Sequence, residues 1–267
     1  MPDLDRDDIT LHYEIDGAGP PVILLAGMLS DSASWTPLVE PLSREFTLIR
    51  PDNRTTGRTT PWDAPVSILG MAQDALALMD HLGHDAFHVV GHSMGGRMAI
   101  ELAGLAAGRV SSLTVMASAP QRSARSIAVF DALSEIRAQP DGETLWLKAL
   151  YPWVFSSAFF ENPENTEIAL QAALAYPHAQ SRAAMMHQID ILRTYVPQAD
   201  ISDLTCPTQV LYGEKDVLLP EDEARAGFAA FANATHHTIA GAGHSIHWDA
   251  SKAVTAQLLG FLGSHRT

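Results

Sequence analysis

The chain has 267 residues, 46% of them hydrophobic, enough to bury the core of one large α/β domain or of a domain carrying an insertion. Its formal net charge of −14 argues against nucleic acid and anionic membrane as partners, because both are held through basic patches. A single cysteine, Cys206, excludes an intrachain disulfide and points to a reducing, cytoplasmic location.

The first residues, Met1 to Asp8, are acidic and lack the apolar stretch of a signal peptide. Ile9, Leu11, Tyr13 and Ile15 then alternate with polar residues, which predicts a half-exposed strand ending at the Asp16-Gly17 turn. Beyond that turn the pattern changes to short, continuously apolar runs: Val22 to Leu25, Phe46 to Ile49, Phe87 to Val90, Leu113 to Met116 and Gln209 to Tyr212. Strands apolar on both faces belong to a parallel sheet covered on each side, and helical patterns between many of them fit βαβ connections. The longest apolar segment, Val22 to Leu29, is far too short to cross a bilayer. The clearest helix is predicted from Ile68 to Leu82, with Ser67 as N-cap and Gly83 as its stop.

Residues 121–195 break the alternation. They carry helical periodicity and clustered aromatics (Trp146, Tyr151, Trp153, Phe155, Phe159, Phe160) without a convincing strand. This stretch reads as a helical cap lying over the strand ends, which leaves a core of residues 1–120 and 196–267. Cys206, at the mouth of a predicted strand, reads as a packing residue and not as a catalytic thiol. A last helix is expected from Ser251 to Leu262.

Gly91-His92-Ser93-Met94-Gly95 stands between an apolar run and an alanine-rich helical pattern starting at Arg97. In that setting a G-x-S-x-G turn raises a serine as a nucleophile. A serine hydroxyl is weak until a base takes its proton, and the base needs an acid to hold its ring. Gly213-Glu214-Lys215-Asp216 follows one predicted strand, and Gly241-Ala242-Gly243-His244 follows the next, over Thr235 to Ile239. Ser93, Asp216 and His244 therefore fall at three strand ends in the order expected for such a turn, at the carboxyl edge where sites collect in parallel sheets. Glu214 is a rival acid and His247 a rival base; Gly243 lets the loop turn inward at His244, which favours that residue. His92 should pack beside the turn. The oxyanion of a tetrahedral intermediate needs two backbone N–H groups, expected from Met94 and from Met28 in the loop after Val22 to Leu25. The two methionine side chains are also expected to wall the pocket.

These pieces resemble the α/β-hydrolase superfamily across nearly the whole chain, with small esterases and 3-oxoadipate enol-lactonase-like enzymes as the nearest likeness. The resemblance rests on Leu24 to Met28, Pro51 to Thr59, the Gly91–Gly95 turn, Tyr151 to Phe155, Tyr212 to Asp216 and Gly241 to His244. It implies the α/β-hydrolase fold, a mostly parallel central sheet with helices on both faces and a helical cap, and it assigns nucleophile, acid and base to Ser93, Asp216 and His244. Two positions depart from the family pattern: Ala26 stands where His is usual, and Thr55 where Gly is usual in the loop after the second core strand.

Other chemistries are disfavoured. Gly91 to Met98 has Gly96 in P-loop register, but Arg97 replaces the lysine and Met98 the hydroxyl that binds Mg²⁺. His84 and His88 straddle a turn and a strand, and with no H-E-x-x-H and no cysteine pair a metal site is not expected. No G-x-G-x-x-G opens a helix after the first strand, which disfavours a dinucleotide. The expected activity is thus cofactor-free hydrolysis of a small-molecule ester or lactone. The alternatives on the same three residues are C–C bond hydrolysis beside a ketone and perhydrolysis; a slow ligand receptor on this fold is the third. Trp153 and Phe155 either line an acyl pocket or form the cap's own core. Arg122, Arg125 and Arg193 are candidates for holding a substrate carboxylate, or simply solvated cations.

Overall fold

A computed structural model describes residues 2–231 and 233–265. Eight strands form one sheet in the order β1-β2-β4-β3-β5-β6-β7-β8. In chain order these are β1 (Asp3–Asp5), β2 (Thr10–Asp16), β3 (Pro21–Leu25), β4 (Thr47–Pro51), β5 (Phe87–His92), β6 (Val110–Met116), β7 (Thr208–Gly213) and β8 (Ala234–Ile239). The pairs β1–β2 and β2–β4 are antiparallel and every other pair is parallel. Each apolar run read from the sequence lies in one of these strands, except that Phe46 stands one residue before β4. The alternating run is β2, joined by the short acidic β1, which the sequence pattern does not mark.

Both faces of the sheet are covered, as continuous apolar strands require. Ile23, Leu25 and Val89 point to one side and pack with residues of α2 (Ile68–His81) and α3 (Met94–Leu105), among them Met71, Leu78 and Met98. Val22, Leu24 and Val90 point to the other side. They pack with Leu38 and Leu42 of α1 (Thr36–Ser43) and with Val254, Leu258 and Leu262 of α11 (Ser251–Ser264). Helix α2 starts where expected: the Ser67 hydroxyl accepts from the Gly70 N–H at 2.9 Å, and Gly83 beyond its end has φ +75°, a conformation cheap for glycine.

Five helices fill the interval between β6 and β7: α4 (Ala124–Arg137), α5 (Gly142–Val154), α6 (Ser157–Glu161), α7 (Pro163–Ala175) and α8 (Arg182–Thr194). Polar contacts tie them to the loops at the sheet's carboxyl edge. Gln180 donates to the Thr55 carbonyl at 2.9 Å, and the Tyr176 hydroxyl donates to Asp31 at 2.6 Å. Two short helices follow β7 and β8, namely α9 (Glu221–Gly227) and α10 (Ile246–Asp249). Among the described residues no helix is long and apolar enough to cross a membrane.

Candidate active site

Parallel pairing fixes which loops meet. Leu25 pairs with Gly91, His92 with Met116, Met116 with Leu211, and Gly213 with Ile239. The residues just after β3, β5, β7 and β8 therefore emerge along one rim. At β5 the chain turns directly into α3, and Ser93 at the turn has φ 52° and ψ −118°. That left-handed backbone costs a non-glycine residue on the order of 1–3 kcal/mol. Such a sharp turn needs room on both sides. A Cβ at Gly91 would collide with the Gly95 carbonyl, and one at Gly95 with the Leu25 carbonyl. The Ser118 hydroxyl donates to the Ser93 carbonyl at 2.6 Å, which braces the turn from the β6 side.

Ser93, His244 and Asp216 are brought together. His244 Nε2 lies 2.9 Å from Ser93 Oγ, and His244 Nδ1 lies 2.8 Å from Asp216 Oδ2. The other carboxylate oxygen, Oδ1, accepts from the amides of Leu218 at 3.0 Å and Leu219 at 2.8 Å. With Asp216 acceptor-only, Nδ1 carries the ring proton and Nε2 is left to accept from the serine hydroxyl. The rivals lie elsewhere. Glu214 is spent on the Gly241 N–H at 2.8 Å and on Lys215 at 3.1 Å. His247 is buried against Trp35 and His92, with ring centroids 5.3 and 4.5 Å away. His92 does lie beside the turn, and its Nε2 donates to the His244 carbonyl at 2.9 Å. Burial pulls the His92 pKa down to about 3, with the neighbouring His244 adding to the shift, so His92 stays a neutral donor.

The cavity at the nucleophile is lined by Met28, Met94, Arg97, Ser118, Phe130 and Leu192, among others, together with Ser93 and His244. Its volume is about 30 Å³, room for a water or two. Neither the Met28 nor the Met94 amide hydrogen-bonds to another described residue, so both are available to a ligand. A larger cleft of about 650 Å³ between the α4–α8 segment and the loops after β3 and β4 includes none of Ser93, Asp216 or His244 in its lining. The aromatic candidates are placed away from the chamber. Phe155 stacks on Phe159 at 4.2 Å and meets Tyr151 edge-on, and Trp153 packs with the main core. The apolar wall near Ser93 is instead Ile127, Phe130, Leu192, Leu218 and Leu219. Arg122, Arg125 and Arg193 are exposed; Arg122 donates to the Arg193 carbonyl, while Arg125 and Arg193 pair with Glu223 and Asp131.

Two supporting residues, Gln188 and Asp249, went unmarked in the sequence. Gln188, buried in α8, accepts from the Leu29 N–H at 3.0 Å and so fixes the peptide next to Met28. Asp249 Oδ2 accepts from the amides of Gly243 and Ser156, each at 2.8 Å, which ties the His244 loop to the residues after α5. Thr55, in the position that departs from the family pattern, is fully buried with φ +70° and is held by Gln180. Ala26 lends its carbonyl to Asn53 Nδ2 at 2.9 Å. Cys206 is half-buried, and burial pushes its thiol pKa up, against a reactive thiolate. Among the described residues no three metal-ligating side chains gather.

Comparison with known proteins adds a family to this geometry. The profile of the family described as alpha/beta hydrolase fold matches residues 20–251. RutD of Azorhizobium caulinodans, whose carbamate hydrolase assignment is provisional, is 30% identical over 82% of this chain and 82% of its own. A thermophilic esterase from Thermogutta terrifontis, with malate bound, superposes at TM-score 0.83 and 26% identity over 97% of this chain and 95% of its own. The enol-lactonase of Burkholderia xenovorans LB400 superposes at TM-score 0.85 over 98% of this chain and 100% of its own; at 22% identity it is a likeness of fold.

Proposed function

Because the chain belongs to the alpha/beta hydrolase family, we propose that it is a cofactor-independent serine hydrolase cleaving a small carboxylic ester or lactone. The observation that carries this reading is the hydrogen-bonded relay from Ser93 Oγ through His244 to Asp216, at 2.9 and 2.8 Å. The esterase relative supports the choice of an ester carbonyl.

In this mechanism Ser93 Oγ attacks the carbonyl while His244 Nε2 takes its proton, and Asp216 stabilises the imidazolium and holds the ring in place. The amides of Met28 and Met94 receive the oxyanion. His244 then gives the proton to the leaving alcohol, an acyl-enzyme remains on Ser93, and a water activated by His244 releases the acid. A reducing, cytoplasmic setting belongs to the same proposal, and a half-buried lone thiol is compatible with it.

A carbamate is the second reading, supported by the RutD relative. The same attack applies, with a carbonyl made less electrophilic by its nitrogen. The test is a panel of p-nitrophenyl esters, lactones, carbamates and a 1,3-diketone, assayed with wild type and Ser93→Ala. Ester or lactone turnover that falls by several orders of magnitude in Ser93→Ala, leaving roughly 10³-fold over water, is the expected result. Near-normal ester turnover in that variant overturns the proposal. Faster turnover of the carbamate or the diketone in wild type reassigns the substrate.

A further inference from the structure

The exposed arginines Arg122, Arg125 and Arg193 do not line the cavity at the nucleophile, but a different arginine does. Arg97 lies one helical turn beyond Ser93 on α3 and lines the same cavity as Ser93, Met28 and Met94. It is 7% exposed. Its Nε donates to the Ala119 carbonyl at 3.1 Å and its Nη2 to the Gln121 carbonyl at 2.9 Å. The Tyr195 ring lies 5.5 Å from the guanidinium carbon.

No carboxylate of the described residues is within salt-bridge distance of this guanidinium. Glu101, the acid one turn further along α3, is occupied by the Tyr195 hydroxyl and by the amides of Gln198 and Ala199, at 2.8 to 3.0 Å. Nη1 makes no hydrogen bond to a described residue. Burial lowers the Arg97 pKa only to about 10, so the side chain stays charged at neutral pH. An unpaired buried cation is costly, and two carbonyls with an aromatic face offset only part of that cost. Fastening the loop after β6 would need donors but no net charge. A planar cation beside the nucleophile with part of its fork unused is the arrangement that receives a carboxylate.

We infer that Arg97 is the counter-ion of an anionic substrate: the ester or lactone carries a carboxylate a few bonds from the scissile carbonyl. This rests on the assignment of Ser93 as nucleophile. Arg97 acts in binding and specificity, while the bond-making steps stay with Ser93 and His244. Ser118, Ser123 and Ser126 also line this cavity, their hydroxyls bonded to the Ser93 carbonyl, the Ser126 N–H and the Leu218 carbonyl.

The test compares two pairs of esters matched in size, using wild type, Arg97→Gln, Arg97→Met and Arg97→Lys. Monomethyl glutarate against methyl hexanoate places the carboxylate on the acyl side, and acetoxyacetate against propyl acetate places it on the alcohol side. Wild type is expected to favour the anionic member of at least one pair in kcat/KM. Arg97→Gln or Arg97→Met, whichever folds, should cut that ratio roughly 10- to 100-fold, mostly through KM, and Arg97→Lys should recover part of it. Wild type with no anionic preference in either pair overturns the inference, even if every neutral variant fails to fold. So does a ratio unchanged by removing the charge. Ser93→Ala run alongside keeps the two readings apart: if it loses turnover on all four esters, any failure above belongs to Arg97 alone. If it retains turnover, the nucleophile assignment itself fails.

Discussion

At Ser93 the backbone is held at φ 52° between two glycines that tolerate no side chain, and the hydroxyl meets His244 at 2.9 Å. Asp216 is fixed as firmly, since Oδ1 accepts two amides and Oδ2 faces His244 Nδ1. Asp216→Asn keeps the volume but brings an N–H₂ group that cannot accept. It therefore either leaves the two amides facing a donor or turns its NH₂ to the imidazole, which forces the wrong tautomer. Turnover should fall about 10⁴-fold with the fold intact; stopped assays on the purified variant would read this, and a loss under tenfold would count against Asp216 as the orienting acid. These three residues were legible because the Gly-flanked turn and the loops after two late strands leave a mark in the sequence itself. Gln188 and Asp249 left none, and Arg97 stood out only as a break in a P-loop pattern. Gln188 matters through Leu29, 159 positions away, and Asp249 through Ser156, 93 positions away, and no local pattern encodes such contacts.

Elements place these residues by register, and the loops between elements are then held from the opposite side. The Met28 amide, proposed above as an oxyanion donor, precedes Leu29, whose φ is +67° and whose N–H is accepted by Gln188 in α8. Gln188→Leu removes that acceptor and leaves a partly buried N–H unsatisfied, at a cost of about 1 kcal/mol. Thermal denaturation should show the lower stability. Steady-state kinetics should show kcat reduced about tenfold with KM little changed, because the loosened amide is used most in the transition state. A variant with altered KM and normal kcat would instead place Gln188 in substrate binding. The strands were readable from their apolar runs to within a few residues. β1 was not, since Asp3-Leu4-Asp5 is too short and too polar to show a period. α1 was hidden by Pro41 inside it, a residue that ordinarily breaks a helix interior. The site role of Trp153 and Phe155 stayed undecided in the sequence, because periodicity shows that a helix has an apolar face without showing what that face meets. Tertiary packing turned Phe155 onto Phe159 and gave the chamber wall to Phe130 and Leu192.

At the scale of the whole molecule, two buried histidines packed against each other beside the Ser93 turn, His92 and His247, are kept neutral. Burial lowers the His92 pKa to about 3 and drives that of His247 well below its ordinary value, with the neighbouring histidines adding to the shift. In the unfolded chain both bind a proton below about pH 6.5, whereas the folded protein refuses it. The unfolded state therefore binds more protons in this window, so stability is complete above pH 6.5 and is lost as pH falls towards 3. Each histidine contributes a slope of about 1.4 kcal/mol per pH unit once its unfolded form is fully charged. Denaturant unfolding between pH 6.5 and 4.5 should show this loss. In His92→Asn, which retains a donor for the His244 carbonyl, the slope should fall by about one proton's worth. An unchanged slope would mean that His92 is not excluded from protonation in the folded state. The most direct measurement of the central claim, that Ser93 is a nucleophile activated by His244, is covalent labelling with a fluorophosphonate followed by peptide mass spectrometry. One adduct is expected, on Ser93, absent in Ser93→Ala and slowed by orders of magnitude in His244→Ala. Labelling at another residue, or equal labelling rates in wild type and His244→Ala, would contradict it.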